Sequence, residues 1–463
     1  MKFDSRQEKG SILMRLLMFT VMISSMSAIM FNVVLPQISQ EFQLSIAEVS
    51  WLTTAYTLIY AFGTVTYGKL SDRFQLKTLM TFGLTLFAIG SLIGLVSQVF
   101  WVALLGRCLQ SAGAAAIPAM ALMIPIRYFA PEKRGSAIAM TAVGIALGGA
   151  LAPVIAAVLV SVANWRWLFL PSLLILVLLP IYRKHLEFEP KSKSTTFDWP
   201  GGVLLAVSVS TLLLGITNKT FWLLMIGAVA LILFVLRIRT AHEAFIQPQL
   251  FRNTKYTTAL VLAFLINCIG ISLYFLTPIL FADVYHLDSA WIGFAMVPAA
   301  IASSILGRQG GKLADKKGNT HLFTIASSSL ILCFIFMSIF VGISPLWISL
   351  FLIFGNVGQS FMQVAMSNFI STTLPKDQVG VGMGLFSMIG FIAQGVAASL
   401  YSMVLATGYT LNWNPLHLDL NSHLYSNVYL VLAALHVGIL LFFRIRFRVK
   451  QPRTALERTV KQS

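Results

Sequence analysis

Arg107 and Gln110 are the polar pair in this sequence most suited to chemistry, because both lie inside one long apolar stretch. An ionised side chain in apolar surroundings is expensive and usually faces protein, where it finds a partner. Residues three apart share a helix face, so Gln110 can orient Arg107 or a water molecule. We interpret Arg107 as a functional charge, with a purely structural role as the alternative.

Acidic side chains that could gain and lose protons are scarce. The chain has 16 Asp and Glu residues, and none falls at the centre of an apolar stretch. Candidate titrating groups therefore lie near the ends of these stretches. They are Glu41, Glu48, Asp283 and Asp288, with Asp72 and Asp315 at the inner ends. Asp283 directly follows the apolar run 278–282 and can face a vestibule, although a solvated acid at a helix end explains it equally well.

Uncharged polar residues inside the apolar stretches are the candidates for binding a small molecule. Asn356, Gln359 and Gln363 are spaced by three and four residues, which places them on one helix face and favours a cavity lining. Single polar residues can instead hold helices together. The full set of candidate cavity residues also includes Tyr56, Asn32, Asn267 and Gln394.

The elements that must position these residues are membrane-spanning helices. The chain is 57% hydrophobic and 11% charged, whereas a soluble domain carries about 25% charged residues. Apolar stretches of about 20 residues recur, and each is long enough to cross a bilayer as a helix. We predict an all-α polytopic membrane protein with fourteen spans: 13–36, 49–70, 78–98, 100–126, 136–160, 167–182, 200–217, 220–238, 257–283, 289–308, 320–342, 346–372, 380–405 and 425–446.

The distribution of basic residues predicts the orientation of these spans. With the N-terminus inside, all but three of the 33 Lys and Arg residues fall in inner segments or at the inner ends of spans, the exceptions being Arg107, Arg166 and Lys219. This asymmetry obeys the positive-inside rule at every loop and favours an even number of spans with both termini cytoplasmic. It explains the net charge of +17 as membrane orientation and contact with lipid, which argues against a nucleic-acid partner.

An internal repeat divides the chain into two related halves. Gly68 to Arg73 reads GKLSDR and Gly311 to Lys316 reads GKLADK, an offset of 243 residues. The segments beginning at Pro131 and Pro375 match at nearly the same offset. Spans 1–6 therefore correspond to spans 9–14, and spans 7 and 8 are an insertion. Repeated halves are a transporter architecture with the substrate site between them. The predicted domains are an N-terminal six-helix bundle 1–185, a linker with two helices 186–256, a C-terminal bundle 257–446 and a tail 447–463.

The repeated motif has a physical interpretation as a conformational latch. Glycine lets helix ends approach closely, and the acid can cap or pair with a neighbouring helix. A solvated loop that merely obeys the positive-inside rule is the alternative, but two copies at equivalent positions favour the latch. Its predicted members are Gly68, Asp72, Arg73, Gly311, Asp315 and Lys316.

Several motifs together resemble the major facilitator superfamily, and within it the fourteen-span drug:proton antiporters. They are the span-1 ending 32–36, the span-2 segment 51–58, the loop 68–77, the span-4 motif 107–115 and the start of span 6 at 165–169. The span-5 antiporter motif is matched by Gly144, Gly148, Gly149 and Pro153. The resemblance implies a plasma-membrane transporter that exports amphipathic, cationic or zwitterionic drugs, with proton coupling through Arg107 and Gln110 and the proton gradient in place of a cofactor.

The chain departs from the family pattern where acids are expected. Relatives often carry an acid in span 1 at the position of Ser27. Tetracycline exporters, which are also similar in pattern, carry acids at the positions of Gly149 and Gln394. These absences count against tetracycline as the substrate and leave the proton carrier open.

Other classes of protein fit the sequence less well. No nucleophile–base pair or phosphate loop emerges, so an enzyme is not expected. Three cysteines in apolar runs show no metal-ligand spacing, so no metal is predicted. Export of a single metabolite or siderophore remains the alternative transport function, and a membrane sensor would need a soluble domain. The chain is expected to act as a monomer.

Overall fold

The protein is described here by a computed structural model whose regular secondary structure, in the described residues, is all helical. The described residues are 2–44, 46–49, 51–130, 133–187, 198–217, 220–241, 244–287, 289–375, 378–405, 412–417, 419 and 422–447. The helices are α1 (Lys2–Phe42), α2 (Ile46–Val49), α3 (Trp51–Arg73), α4 (Leu76–Leu95), α5 (Phe100–Ala114), α6 (Ala116–Tyr128), α7 (Arg134–Val162), α8 (Ile175–His185), α9 (Trp199–Thr217), α10 (Phe221–Thr240), α11 (Gln249–Arg252), α12 (Thr254–Gly270), α13 (Ser272–Asp283), α14 (Ser289–Lys317), α15 (Asn319–Phe340), α16 (Pro345–Thr373), α17 (Val379–Leu405) and α18 (His423–Arg446).

Twelve helical stretches of the described chain are long and apolar enough to cross a membrane. The all-α membrane fold is therefore confirmed, whereas the predicted count of fourteen spans is not. The two predicted spans outside the twelve are 49–70 and 136–160, which correspond to α3 and α7. These helices have 23 and 29 residues, and at 1.5 Å per residue each exceeds the roughly 30 Å of a bilayer core.

Some predicted spans are broken helices. Span 4 is divided at Ala115 into α5 and α6, and span 9 is divided at Ile271 into α12 and α13. Span 6 starts with two 3-10 turns, Trp165–Phe169 and Pro171–Leu174, before α8 begins. Such breaks are tolerated at membrane depth where the protein surrounds the freed backbone groups.

Two helix pairs form most of the contact between the repeated halves. α3 packs against α17, and α7 packs against α14. By the repeat offset α3 corresponds to α14 and α7 to α17, so the two seams are equivalent under the pseudo-symmetry of the sequence. The candidate site residues therefore lie close to surfaces along which the halves can move relative to each other.

The inserted helices α9 and α10 pack on each other, and α9 also contacts α3 and α17. Asp198 joins the ends of the pair, since its carboxylate accepts hydrogen bonds from Gly201 N at 3.1 Å, Arg237 Nε at 3.1 Å and Phe245 N at 3.1 Å. Phe245 is fully buried and stacks on Phe62 of α3. The inserted helices therefore pack beside the seam between α3 and α17.

Candidate functional site

Arg107 lies fully buried on α5, between α1 and α3. Its guanidinium donates to Gln110 Oε1 at 2.7 Å, to the carbonyl oxygen of Ser27 at 3.3 Å and to that of Leu52 at 3.3 Å. Across the described residues no carboxylate lies within ion-pair distance of it. The positive charge is balanced by carbonyl and amide dipoles instead of by an acid.

Two aromatic rings enclose the Arg107 guanidinium. Its Cζ atom lies 4.2 Å from the ring centroid of Phe31 and 4.1 Å from that of Tyr56. Both distances are within the range of cation–π attraction, which strengthens when water is excluded. The planar guanidinium of Arg107 therefore stacks between two rings in addition to making charged hydrogen bonds.

Close packing of α4 on α5 positions Gln110. A Cβ atom at Gly90 would lie 2.3 Å from Gln110 N, and one at Gly106 would lie 2.7 Å from Gly94 N, so the glycines allow these helices to approach. Gln110 then donates from Nε2 to Ser91 Oγ at 2.8 Å while accepting from Arg107. This confirms the predicted shared face of Arg107 and Gln110.

Unpartnered polar atoms surround the arginine. In the described part of the chain, Arg107 Nη2, Ser24 Oγ, Ser27 Oγ and Tyr56 Oη are buried without a hydrogen-bond partner. Ser27 is the position at which the resemblance to the drug:proton antiporters leads us to expect an acid. With serine at this position, the Arg107 Nη2 donor has no acceptor. A carboxylate here could have accepted that hydrogen bond.

An aromatic chain connects Arg107 to the other half of the molecule. The ring of Tyr56 stacks on that of Tyr60, with centroids 5.9 Å apart. Tyr60 in turn meets Phe391 of α17 edge-on, with centroids 4.9 Å apart. The chain Arg107–Tyr56–Tyr60–Phe391, called here the aromatic bridge, crosses the seam between α3 and α17.

Two candidate cavity residues of the C-terminal half, Asn267 and Gln359, lie near the break in span 9. Gln359 packs so closely on Gly270 that a Cβ there would lie 2.4 Å from its Nε2 atom. Asn267 donates to the carbonyl oxygen of Ala263 at 2.8 Å and faces Gly390. Asn356 is buried, whereas Gln363 and Gln394 are half-buried. The backbone of Asn32 lies in α1, but its side chain is outside the described residues.

The predicted titrating acids are not gathered at the arginine. Asp283 is exposed at the end of α13, where Tyr425 Oη donates to its Oδ2 atom at 2.7 Å. Glu48 is exposed on the short helix α2, and Asp288 lies outside the described residues. The structure thus places Asp283 at the surface, because α13 ends at that residue and turns its last side chain outward.

The second copy of the repeated motif makes a defined contact across the seam between α7 and α14. Asp315 accepts hydrogen bonds from Gly135 N at 2.9 Å, Ser136 N at 3.0 Å and Ser136 Oγ at 2.5 Å. The carboxylate therefore caps the N-terminus of α7, where unpaired amides and the helix dipole favour negative charge. Lys316 is exposed.

The glycines of both motif copies lie at equivalent close approaches. A Cβ atom at Gly68 would lie 2.5 Å from the carbonyl oxygen of Gly380, and one at Gly311 would lie 2.6 Å from that of Gly135. Gly68 corresponds to Gly311 and Gly135 to Gly380 by the repeat offset, so the two contacts are related by the same repeat. The side chain of Asp72 is outside the described residues, and Arg73 lies over the Phe74 ring at 5.5 Å.

The span-5 glycines hold α7 against α1. A Cβ atom at Gly144 would lie 2.4 Å from the carbonyl oxygen of Met18, and one at Gly148 would lie 2.5 Å from that of Met22. This is the small-residue packing expected of membrane helices. Gly149 has more room, with its nearest neighbour Ile29 at 3.9 Å. The side chain of Pro153 is outside the described residues.

At the opposite end of α1, outside its apolar span, Glu41 forms an ion pair with Arg166 at 2.7 Å. Trp165 Nε1 donates to the same carboxylate at 2.6 Å. Burial raises the pKa of Glu41, but the hydrogen bonds from Trp165 and Arg166 and the arginine charge outweigh it, so the pKa lies below its ordinary value. This cluster ties α1 to the start of span 6.

Comparison with known proteins defines the class of this molecule. Residues 17–398 match the model of the Major Facilitator Superfamily, so the chain belongs to that family of transporters. It is 26% identical over 411 residues to the riboflavin transporter RibZ of Clostridioides difficile, covering 85% of this chain and 87% of that protein. It is 30% identical over 336 residues to multidrug resistance protein 3 of Bacillus subtilis, covering 68% and 64%.

Solved structures show the same fold. The human organic anion transporter MFSD10 (TETRAN) superposes with a TM-score of 0.65 at 13% identity, covering 94% of this chain and 99% of that one. The proton:xylose symporter XylE gives a TM-score of 0.65 at 14% identity, covering 96% and 95%. The protein is a transporter and not an enzyme, and transporters of this family are driven by ion gradients without a cofactor.

The sequence analysis missed two functional candidates. Phe391 was not selected, because one phenylalanine in an apolar span carries no signal of its own. Ser136 was not selected either, although it follows Gly135 in the segment that repeats near Pro375. That repeat offered a usable signal, since a motif conserved between the halves marks both sides of a contact.

Proposed function

We propose that this protein exports several amphipathic compounds across the plasma membrane in exchange for protons, by alternating access of a fourteen-span scaffold. Both termini are cytoplasmic, the protein acts as a monomer, and the halves 1–185 and 257–446 rock about the linker 186–256. The observation that carries the proposal is the pair of equivalent seams, which make close contacts near their predicted inner ends. The outward-facing end is the end at which substrate leaves.

The closed part of each seam lies toward the predicted inner side. Gly68, Gly311 and Asp315 make the close contacts described above. Beyond these contacts, Val158 and Val162 near the other end of α7 are exposed. Asp315 thus acts as a latch that keeps the inner end shut, and its release opens the molecule to the cytoplasm.

The character of the candidate cavity supports amphipathic substrates. Its described members are five amides and one phenol ring, and none is an acid. They are Asn267, Asn356, Gln359, Gln363, Gln394 and Tyr56. Uncharged polar groups with adaptable geometry suit several substrates, whereas one charged metabolite would need a fixed counter-charge. The chain's similarity to multidrug resistance protein 3 of Bacillus subtilis also supports this function.

Proton coupling is assigned to Arg107 and Gln110 together with the acids near the helix ends. A substrate group that accepts a hydrogen bond can become the partner of the free Nη2 donor of Arg107. The aromatic bridge transmits that change of partner to α17, because Tyr56 contacts both the guanidinium and Tyr60. Asp283, Asp288 and Glu48 are the acids that deliver or release the proton.

Proton-coupled export is tested in everted membrane vesicles loaded with a pH dye and given an acid interior. Ethidium, a fluoroquinolone and tetracycline are added in turn, and proton release is expected with the first two. Arg107→Ala should abolish the release and Asp283→Asn should reduce it. If no compound releases protons, drug antiport is wrong, and unchanged exchange in both variants removes these residues from the mechanism.

A second candidate is the transport of one planar metabolite, for which a flavin is the natural test compound. Two observations favour it: the similarity to the riboflavin transporter RibZ and the stacked rings of Tyr56 and Tyr60 beside Phe391. Uptake of labelled riboflavin by cells that carry the protein separates the two functions. Saturable riboflavin transport without drug export would favour the single-substrate function.

A further inference from the structure

A groove opens at the inner end of α14, away from the seams and the aromatic bridge. It has a volume of about 280 Å³ and is lined by Gln309, Lys312, Leu313, Lys316 and Phe361. We name it the inner groove. Its walls combine two ammonium groups and one amide with an aromatic ring and an aliphatic side chain. A ligand that matches it must carry negative charge at one end and an apolar body at the other.

The shape of the inner groove follows from a glycine. Phe361 of α16 lies directly over Gly310, where a Cβ atom would come within 2.5 Å of the ring. The absence of a side chain at Gly310 therefore lets the ring lie against α14 and form the apolar wall. At the repeat offset of 243 residues, the equivalent of Gly310 is Tyr67, whose bulky side chain is buried. The repeated motif in the N-terminal half therefore lacks this glycine.

The electrostatics of the groove call for an anion. Arg308, Lys312 and Lys316 are exposed and follow one another at intervals of four, so they form a positive stripe on one side of α14. Like charges at this spacing repel each other and destabilise the helix. The ion pairs found among the described residues lie elsewhere, at Lys9, Arg166 and Arg237. A bound anionic group would relieve the repulsion.

We propose that the inner groove is a binding site for one anionic phospholipid. Lys312 and Lys316 hold the phosphate, Gln309 donates to the headgroup, and an acyl chain lies along Phe361 and Leu313. The ligand is a lipid because the groove opens at the predicted cytoplasmic surface of a membrane-spanning helix, where anionic headgroups and acyl chains are adjacent. Basic side chains attract the anionic lipids of that leaflet, and lysine stems extend to reach it.

The site is separate from the contact between Asp315 and α7. Lys316, although a predicted latch residue, lines the groove. Gly311 and Asp315 of α14 face α7, whereas the lysines lie on the neighbouring side of the helix toward α16. Both walls of the groove belong to the C-terminal half, so lipid binding does not require a particular arrangement of the two halves. Failure of the drug-export proposal would leave this inference intact.

The test uses the full-length protein in lipid nanodiscs containing a photoactivatable phosphatidylglycerol or phosphatidylcholine, with the labelled peptides mapped by mass spectrometry. Phosphatidylglycerol should label the segments around Gln309 and Phe361, and phosphatidylcholine should not. The double variant Lys312→Gln/Lys316→Gln should lower the apparent affinity by about thirtyfold, since each basic residue contributes separately. Equal labelling by both lipids, or an unchanged double variant, would overturn the proposal.

Matched variants separate this site from general surface charge. Lys69→Gln/Arg73→Gln removes the same charges from the other motif copy and should leave labelling at the groove unchanged. Asp315→Asn disturbs the latch and should also leave it unchanged. Excess inorganic phosphate should not displace the lipid, because it cannot occupy the apolar wall. Loss of groove labelling in any of these three arms would contradict a lipid site built from these residues, and thermal unfolding of each variant verifies that it is folded.

Discussion

The ring of Tyr60 meets the ring of Phe391 edge-on, with centroids 4.9 Å apart, near the middle of α3 and α17. Nearer the predicted inner end, Gly68 and Gly384 bring α3 and α17 into close contact. The Tyr60–Phe391 pair therefore lies farther from the inner end than this glycine contact. Any rocking of the halves must alter the contact between the two rings. Because Tyr60 also stacks on Tyr56, the same movement reaches the ring that covers Arg107.

Truncating this contact should impair transport. Tyr60→Ala or Phe391→Ala should lower the transport rate by up to about tenfold, since an aromatic pair contributes about 0.5–1.5 kcal/mol beyond its buried area. Tyr60→Phe keeps the ring and should transport nearly as well as the wild type. Initial rates in vesicles measure the effect. Phe275→Ala is the control, because Phe275 stacks on Tyr401 within one half; an equal loss there would contradict a role specific to the seam.

The sequence predicted the positions of the helices well because apolar length and the placement of basic residues are local signals. It also predicted that Arg107 and Gln110 share a face, since their spacing alone determines this. It could not identify Phe391 as the partner of Tyr60, because that pairing depends on how two distant halves dock. Whether the Asp283 side chain is exposed likewise depends on the residue at which α13 ends. The apolar pattern defines that helix end only to within several residues.

Arg107→Lys should abolish most transport although the charge is kept. The guanidinium donates to Gln110, Ser27 and Leu52 while lying between two rings. An ammonium group has no planar fork with which to make these contacts together. We expect at least a tenfold fall in initial rate, and a smaller fall for Gln110→Ala. A lysine variant that transports normally would show that charge alone suffices at this position.

Removing the charge of Asp315 should open the inner end. Hydrogen bonds to a charged group contribute about 1.5–3 kcal/mol each, and Asp315→Asn weakens three of them. Double electron–electron resonance measures the distance between spin labels at the inner ends of α7 and α14. In Asp315→Asn, a larger fraction of molecules than in the wild type should have the two labels far apart. Ser136→Ala removes one donor and should give an intermediate shift. Identical distance distributions in all three proteins would exclude Asp315 as the latch.

Adding one methyl group to either motif glycine should have a similar effect. In Gly68→Ala the new Cβ would meet the Gly380 carbonyl at 2.5 Å, and in Gly311→Ala it would meet that of Gly135 at 2.6 Å. The backbones cannot move apart without separating the seam. Both variants should favour the inner-open state in the same spin-label measurement. Gly438→Ala is the control, because nothing lies within 4 Å of its Cβ position, and a comparable shift there would discount steric separation.

The cluster at the far end of α1 should make stability depend on acidic pH. The pKa of Glu41 in the folded protein is lower than the ordinary value of 4.5. The ionised carboxylate therefore stabilises the fold above that value, and this stabilisation is lost as the pH falls through the lowered pKa. Thermal unfolding of the detergent-solubilised protein below about pH 4.5 should show a steeper decline for the wild type than for Glu41→Gln. Parallel curves for the two proteins would mean that the ion pair with Arg166 contributes no measurable stability. Solvent screening of this partly exposed pair would be the reason.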